Sequence, residues 1–379
     1  MAIDANRRQA AVIGAGIGGL AAGIGLRQAG WEVTVYEAAE ELRPLGAGLS
    51  IWPNGVRALR QLGLADLAAA APRADGALRR ADGSALAEFD PDALEARFGA
   101  PLVGFHRADL HEGLVAPLGP ERLRTGMRLD ALVDGELLFD DGSSVRADLV
   151  VGADGLLSTV RSALLGDGEP RDAGIVAFRG VAALDAPVPA GEWWGSGSVA
   201  GLLPLGKGRV YWYLAHRGEP DRTALPGLVA EYGEPVRDAV DRTGAEQVLL
   251  HRLYDRDPVP SWSRGSATLL GDAAHPMLPF LGQGAGSALE DAAALAAAVA
   301  AEPDVEAALA AYEGARLRRT AALVAGSRKA AKAALLGSGL GRRVRNALVS
   351  RAPESMRLRQ LDPFVGSPPD APEAASRLS

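Results

Sequence analysis

Three clusters of small and acidic residues have the types and order needed to hold a phosphate-bearing ligand. Gly14, Gly16 and Gly19 follow a short apolar run, Ala10–Ile13, and open an Ala/Leu-rich segment that stops at Gly30. In a strand–turn–helix each glycine has its own task. The first permits the tight turn, the second lets a pyrophosphate approach the backbone, and the third lets the helix pack on the strand. The phosphate then meets free amides and the positive end of a helix dipole. Glu37 closes a second strand, Glu32–Tyr36. A carboxylate there accepts hydrogen bonds from ribose hydroxyls and repels a 2′-phosphate. The pattern is that of a dinucleotide site, although in a glycine-rich chain the same triplet also serves as a plain packing turn, and the particular dinucleotide stays open.

The second cluster is DLVVGADGLLSTVR, Asp148–Arg161. A strand delivers Asp154 and Gly155 at its carboxyl end, where open α/β sheets bind ligands, with Ser158 and Arg161 one helical turn apart. Taken alone, Asp154 reads as a helix cap. The third cluster is GSATLLGDAAHPMLPFLGQGAGSALEDA, Gly265–Ala292. Asp272 ends another buried strand, and Gly282-Gln283-Gly284-Ala285-Gly286 leads into a helix. Consecutive small residues expose amides, so a ligand that becomes anionic on reduction is stabilised there. The bland alternative is a loop that merely turns.

These residues need elements to carry them. At 379 residues the chain is long enough for two domains or one large α/β domain with an insertion, and 48% apolar with 23% charged residues is ordinary for a globular protein. Zero cysteines exclude disulfides, thiolate metal sites and a flavin tethered through sulfur, and no metal site is read. A net charge of −7 argues against a nucleic-acid binder and for small molecules. Met1–Gln9 is polar, and the later run Ala292–Ala301 is too short for a membrane span, so a cytoplasmic protein is expected. Leu78–Arg80 and Ala85–Phe89 flank an Asp-Gly turn as a hairpin, and residues 122–150 form a meander. Residues 172–255 are strand-like and aromatic, a second sheet. Residues 304–350 read as helix, and a tail from Pro368 as disordered.

In that order the three motifs closely resemble the single-component FAD-dependent aromatic monooxygenases of the para-hydroxybenzoate hydroxylase fold, which include salicylate, 3-hydroxybenzoate and flavin-type urate hydroxylases. The resemblance spans about residues 8–365. It implies an α/β fold in which a Rossmann-like FAD-binding domain (8–75, 100–170 and 260–300) carries an inserted antiparallel β-sheet substrate domain (76–99 and 171–259). C-terminal helices (301–365) and a short tail (366–379) complete the expected organisation. It also implies FAD, with NADH or NADPH as a transient reductant and dioxygen as co-substrate, and oxygen transfer through a flavin hydroperoxide. By position, Gly14, Gly16, Gly18 and Gly19 would meet the pyrophosphate, Glu37 the ribose, and Arg43 and Ser50 the wrapping loop. Arg107 would reach the ribityl and phosphate region, the Leu129 backbone the adenine, and Asp272 a ribityl or phosphate-side oxygen. Gly282, Gln283, Gly284, Ala285 and Gly286 would lie along the pyrimidine side of the ring. Asp154 and Gly155 match a motif linked to FAD and the nicotinamide donor, and Pro279 the position beside the reactive intermediate.

The substrate side rests on strand alternation. If Tyr211 faces the pocket, so does Tyr213, while Trp212 and Leu214 face away; Val199, Gly201 and Leu203 share a face. Arg179 is a candidate anchor for a carboxylate or enolate, or else an arginine with a surface partner. Arg179, Tyr211 and Tyr213 join Pro279 as catalytic candidates. His216 and His251 are weaker candidates for a base, and His275 is of structural type. The GAGLSIWPNG stretch is similar to the urate hydroxylase branch, but GSVAGLLP lacks that branch's substrate-binding arginine at or near Val199, which counts against urate. A lining of Phe178, Trp194, Val199, Leu203 and the tyrosines points to a hydrophobic aromatic or polyketide-like molecule, hydroxylated or epoxidised by a monomer or homodimer. The alternatives are an FAD-dependent dehydrogenase or reductase, and a non-catalytic flavin-binding scaffold.

Overall fold

The computed structural model describes residues 8–42 and 47–366. Arg43 and the tail from Pro368 lie outside the described residues.

The opening strand Gln9–Ile13 is the middle of a five-stranded parallel sheet. Leu149–Gly152 and then Ala267–Leu269 lie on one side of it, and Glu32–Tyr36 and then Leu123–Arg124 on the other. Parallel sheets are covered on both faces, which is why these strands are near-continuous apolar runs. Each of the three clusters leaves the same carboxyl edge, so residues far apart in sequence converge there. The helices Ile17–Gln28 and Gly284–Ala301 pack closely through small residues: Gly18 lies against Leu270 and Ala288, and Gly25 against Ala296.

The second sheet has seven strands, ordered Leu249–Asp255, Arg171–Ala183, Arg209–Arg217, Ser198–Gly206, Gly191–Trp194, Gly76–Arg80 and Ala85–Phe89. The expected hairpin forms its edge. The sheet is mixed rather than purely antiparallel, because Gly191–Trp194 pairs in parallel with Gly76–Arg80. These two strands come from separate excursions of the chain, so no hairpin turn forces them to run in opposite directions.

The meander folds as a three-stranded antiparallel sheet, Leu129–Val133, Glu136–Phe139 and Ser144–Arg146. The C-terminal part is not one helix over 304–350. Val305–Ala334 ends at Leu335, Ser338 caps a new helix at Gly339–Arg351, and Glu354–Val365 follows. Among the described residues no helix is long and apolar enough to cross a membrane.

Candidate active site

The glycines of the first turn do different jobs. Gly14 has φ +102°, and a Cβ there would overlap the Ala153 carbonyl; its N–H donates to the Tyr36 carbonyl (2.7 Å). A Cβ on Gly19 would overlap the Gly14 carbonyl oxygen, and Gly18 is consumed in helix packing. Only at Gly16 would a Cβ meet nothing within 4 Å. The helix begins at Ile17, so its first amides have no intrahelical partner and point to that open space. Glu37 is fastened to the turn: its carboxylate accepts from Ala15 N–H (2.8 Å) and Ala39 N–H (2.9 Å), leaving further lone pairs on both oxygens. Leu129 opens its strand close by, since Met127 N–H donates to the Glu37 carbonyl (2.8 Å).

The second cluster is a brace. Asp154 accepts from Ser158 Oγ and from the amides of Thr159 (2.8 Å) and Val160 (3.2 Å), so its carboxylate is spent on the helix Thr159–Leu165. Its side chain thus serves the first amides of a helix whose N-cap residue is Ser158, and a Cβ on the adjoining Gly155 would meet nothing within 4 Å. Burial raises the Asp154 carboxyl, against the pull of these hydrogen bonds. Arg161 is buried and donates to the carbonyls of Ala273 (2.9 Å) and Ala274 (2.8 Å) and to Asp167 (2.8 Å), which ties this cluster to the third.

A buried ionic network holds the third cluster. Asp291 accepts from His275 Nε2 (2.6 Å), Gly271 N–H (3.0 Å) and Arg316 Nε (2.6 Å). His275 is thus structural, as expected. Asp272, freed from this network, opens into a cavity; burial raises its carboxyl, opposed by His275 and by Arg107, which brings Arg107 to the same region. Gly282 takes the left-handed conformation (φ +61°) beside Ser50 Oγ and Trp52 Nε1. A Cβ on Gly284 would meet nothing within 4 Å. Asn54 Nδ2 donates to Gln283 Oε1 (2.9 Å), leaving Asn54 Oδ1 and Gln283 Nε2 buried without partners among the described residues. Native proteins seldom strand such groups. Open space over Gly16 and Gly284, unspent amides and two orphaned amide atoms fit a ligand that runs from the first turn to the last, as FAD does.

The cavity, about 710 Å³, lies between this loop, the seven-stranded sheet and the last helix. Arg179, Trp194, Leu203, Tyr211 and Tyr213 line it, as does Pro279. Phe178 and Val199 do not. Phe178 is the neighbour of Arg179 in an alternating strand, so it points to the other face and packs with Trp212 and Leu214. Val199 shares the cavity face but is sealed among Ala215, Leu278, Ala331 and Leu335. His216 stacks on Phe178, on that opposite face, whereas His251 lines the cavity, its imidazole lowered by burial and by Arg179. Among the described residues Arg179 has no ion-pair or hydrogen-bond partner. Glu192 was missed. It accepts from Tyr213 Oη (2.5 Å) and Trp194 Nε1 (3.1 Å), and burial raises its carboxyl. The signal was there: Glu192 lies two residues before Trp194 in one strand. Leu361, Phe364 and Val365 close the far side, held by Arg57 to the Val365 carbonyl (2.8 Å) and Arg319 to the Phe364 carbonyl (2.9 Å).

A parallel nucleotide-binding sheet whose glycine loops share a cavity with a second sheet is the layout of a flavin-dependent oxidoreductase with an enclosed substrate. Residues 7–114 and 130–327 match the family described as FAD binding domain, and the chain belongs to that family. It is 36% identical to the aurachin C monooxygenase/isomerase of Stigmatella aurantiaca, covering 83% of this chain and 87% of the relative. It is 39% identical to the 3-amino-4-hydroxybenzoate 2-monooxygenase of Streptomyces cremeus, covering 82% and 84%. The crystal structure of Klebsiella pneumoniae HpxO complexed with FAD and uric acid superposes with a TM-score of 0.87 at 29% identity, covering 93% of this chain and 95% of that one. The chain is thus a single-component FAD-dependent monooxygenase that uses NAD(P)H and dioxygen, and the comparisons favour this over the dehydrogenase and scaffold alternatives.

Proposed function

We propose that the enzyme hydroxylates or epoxidises an electron-rich, hydrophobic aromatic or polyketide-like molecule that carries an ionised oxygen, and that Arg179 holds this oxygen. The observation that carries the reading is an arginine without a partner among the described residues, on the wall of an otherwise mainly apolar cavity that also contains the Pro279–Ala285 loop. A guanidinium in such a place is costly unless a ligand pairs with it, and it matches a carboxylate, phenolate or enolate bidentately. In this reading residues 8–75, 100–170 and 260–300 bind FAD, and residues 76–99 and 171–259 bind the substrate. The nucleotide end is held by the amides at Gly16–Gly19 and by Glu37, and the ring by the Gly282–Gly286 backbone, Gln283 and Asn54, with Asp272 and Arg107 between them.

Bound FAD supplies the chemistry: it accepts two electrons from NAD(P)H and activates dioxygen toward an electron-rich carbon. The protein's own residues orient the substrate and keep the site dry. Leu203, Trp52, Phe280 and Phe364 exclude water that would otherwise divert reducing equivalents to peroxide. Tyr211, whose hydroxyl burial raises against the pull of Arg179, stays a neutral hydrogen-bonding group beside the anchored oxygen.

Arg179→Met tests the anchor. The variant is expected to keep its FAD and to lose roughly 10- to 100-fold in kcat/KM for aromatic acids that stimulate NAD(P)H oxidation, the loss typical of a charge-assisted hydrogen bond. Unchanged stimulation by the same acids would contradict the role.

A further inference from the structure

The sheet register puts three polar residues of the cavity wall, Glu192, Tyr213 and Arg179, in one row. Glu192 pairs with Gly201, Gly201 with Tyr213, and Tyr213 with Arg179, so all four positions face the cavity on adjacent strands. Glu192 and Arg179 are three strand spacings apart, about 14 Å between backbones. Gly201 is the device that connects them. A Cβ there would overlap the Tyr213 ring, so the bare glycine lets that ring lie across its strand and reach Glu192. Tyr213 and Trp194 each donate one hydrogen bond to the Glu192 carboxylate, one to each oxygen. Each oxygen retains a second acceptor site. Among the described residues no cation is paired with Glu192, and its carboxylate lines the cavity. A part-buried carboxylate served by two neutral donors has acceptor sites to spare on the cavity side, where a donor of whatever fills the cavity can meet them.

We propose that Glu192 is a specificity-determining residue that accepts a hydrogen bond from an amino, ring N–H or phenolic O–H group of the substrate, at the end opposite Arg179. The proposal rests on the assignment of this cavity to the substrate, and it adds a polarity: an anionic oxygen at the Arg179 end, a donor at the Glu192 end, and a flat apolar body of about two fused rings between them. Tyr213 and Trp194 are positioning residues in this arrangement, since they aim the carboxylate.

The test uses the FAD-loaded full-length protein and isothermal titration with 2-naphthoates bearing either an amino or a methyl group at carbon 5, 6 or 7. The two groups are close in size, but only the amino group donates. In the wild type at least one amino acid of the set is expected to bind about tenfold or more tighter than its methyl partner. Glu192→Met, which removes the acceptor at similar size and is checked for unchanged FAD content and melting temperature, is expected to abolish that preference without weakening the methyl compounds. Tyr213→Phe should weaken the preference without abolishing it. Equal affinity for amino and methyl partners in the wild type, or a preference that survives in Glu192→Met, would overturn the proposal and leave the substrate cavity standing. Binding of none of the six acids to the wild type would instead overturn the cavity assignment, and this proposal with it.

Discussion

Gly19→Ala is expected to cost about 3 kcal/mol or more of stability, and Gly16→Ala almost none, although the two residues sit in one turn. A Cβ at Gly19 would overlap the Gly14 carbonyl, a backbone atom fixed between the first strand and the Ala153 segment, so the clash is relieved only by moving the strand–helix junction. Gly16 has φ −70° and ψ 178°, which alanine adopts freely, and its Cβ would project into open space. That space is where the pyrophosphate is assigned, so Gly16→Ala should fold normally and bind FAD roughly tenfold or more weaker. Thermal melting and FAD titration of both variants check the pair. A Gly16→Ala protein with wild-type FAD affinity would remove the phosphate from that position.

Asp291→Ala should destabilise the protein by about 3–5 kcal/mol, because it takes from buried His275 its carboxylate partner and leaves Arg316 with only Glu290 and Ser287 in the interior. Burial alone would raise the Asp291 carboxyl, but His275 and Arg316 outweigh it and hold it well below the usual carboxylate range. A carboxyl lowered by folding stabilises fully at pH values above its unfolded value, about 3.9, and loses that contribution as pH falls through and below it. Chemical denaturation should therefore give a wild-type-to-variant gap that is full at pH 7 and narrower at pH 3. A gap that is small at pH 7, or that widens in acid, would contradict the assigned network. FAD content should fall with stability, since this network holds the loop that carries Asp272 and Gly282–Gly286.

The cofactor half was the legible half. Strand, glycine turn, helix and terminal acid are local signals, and each cluster carries its own capping and turn chemistry within some thirty residues. The local reading of Asp154 as a cap was also sound, since its side chain accepts from the first amides of the helix that Ser158 opens. One feature escaped that kind of reading. The partners of Asp291 come from a loop and a helix that only the folded chain brings together. On the substrate side, alternation put Tyr211 and Tyr213 on one face, as they lie in the cavity wall, and the same rule excludes Phe178 once Arg179 of the preceding strand is turned inward. Val199 obeys the alternation but is covered by the long C-terminal helix, which no strand pattern reveals. Glu192 received no reading from the sequence, because its tie to the cavity depends on Gly201 and Tyr213 from neighbouring strands.

The most direct test of the central claim is turnover under ¹⁸O-labelled dioxygen with NADH or NADPH and an aromatic substrate that stimulates oxidation. The account predicts a yellow, FAD-containing protein whose product gains a single oxygen atom, carrying the label. A product that differs from the substrate only by two hydrogens, with no label incorporated, would contradict it.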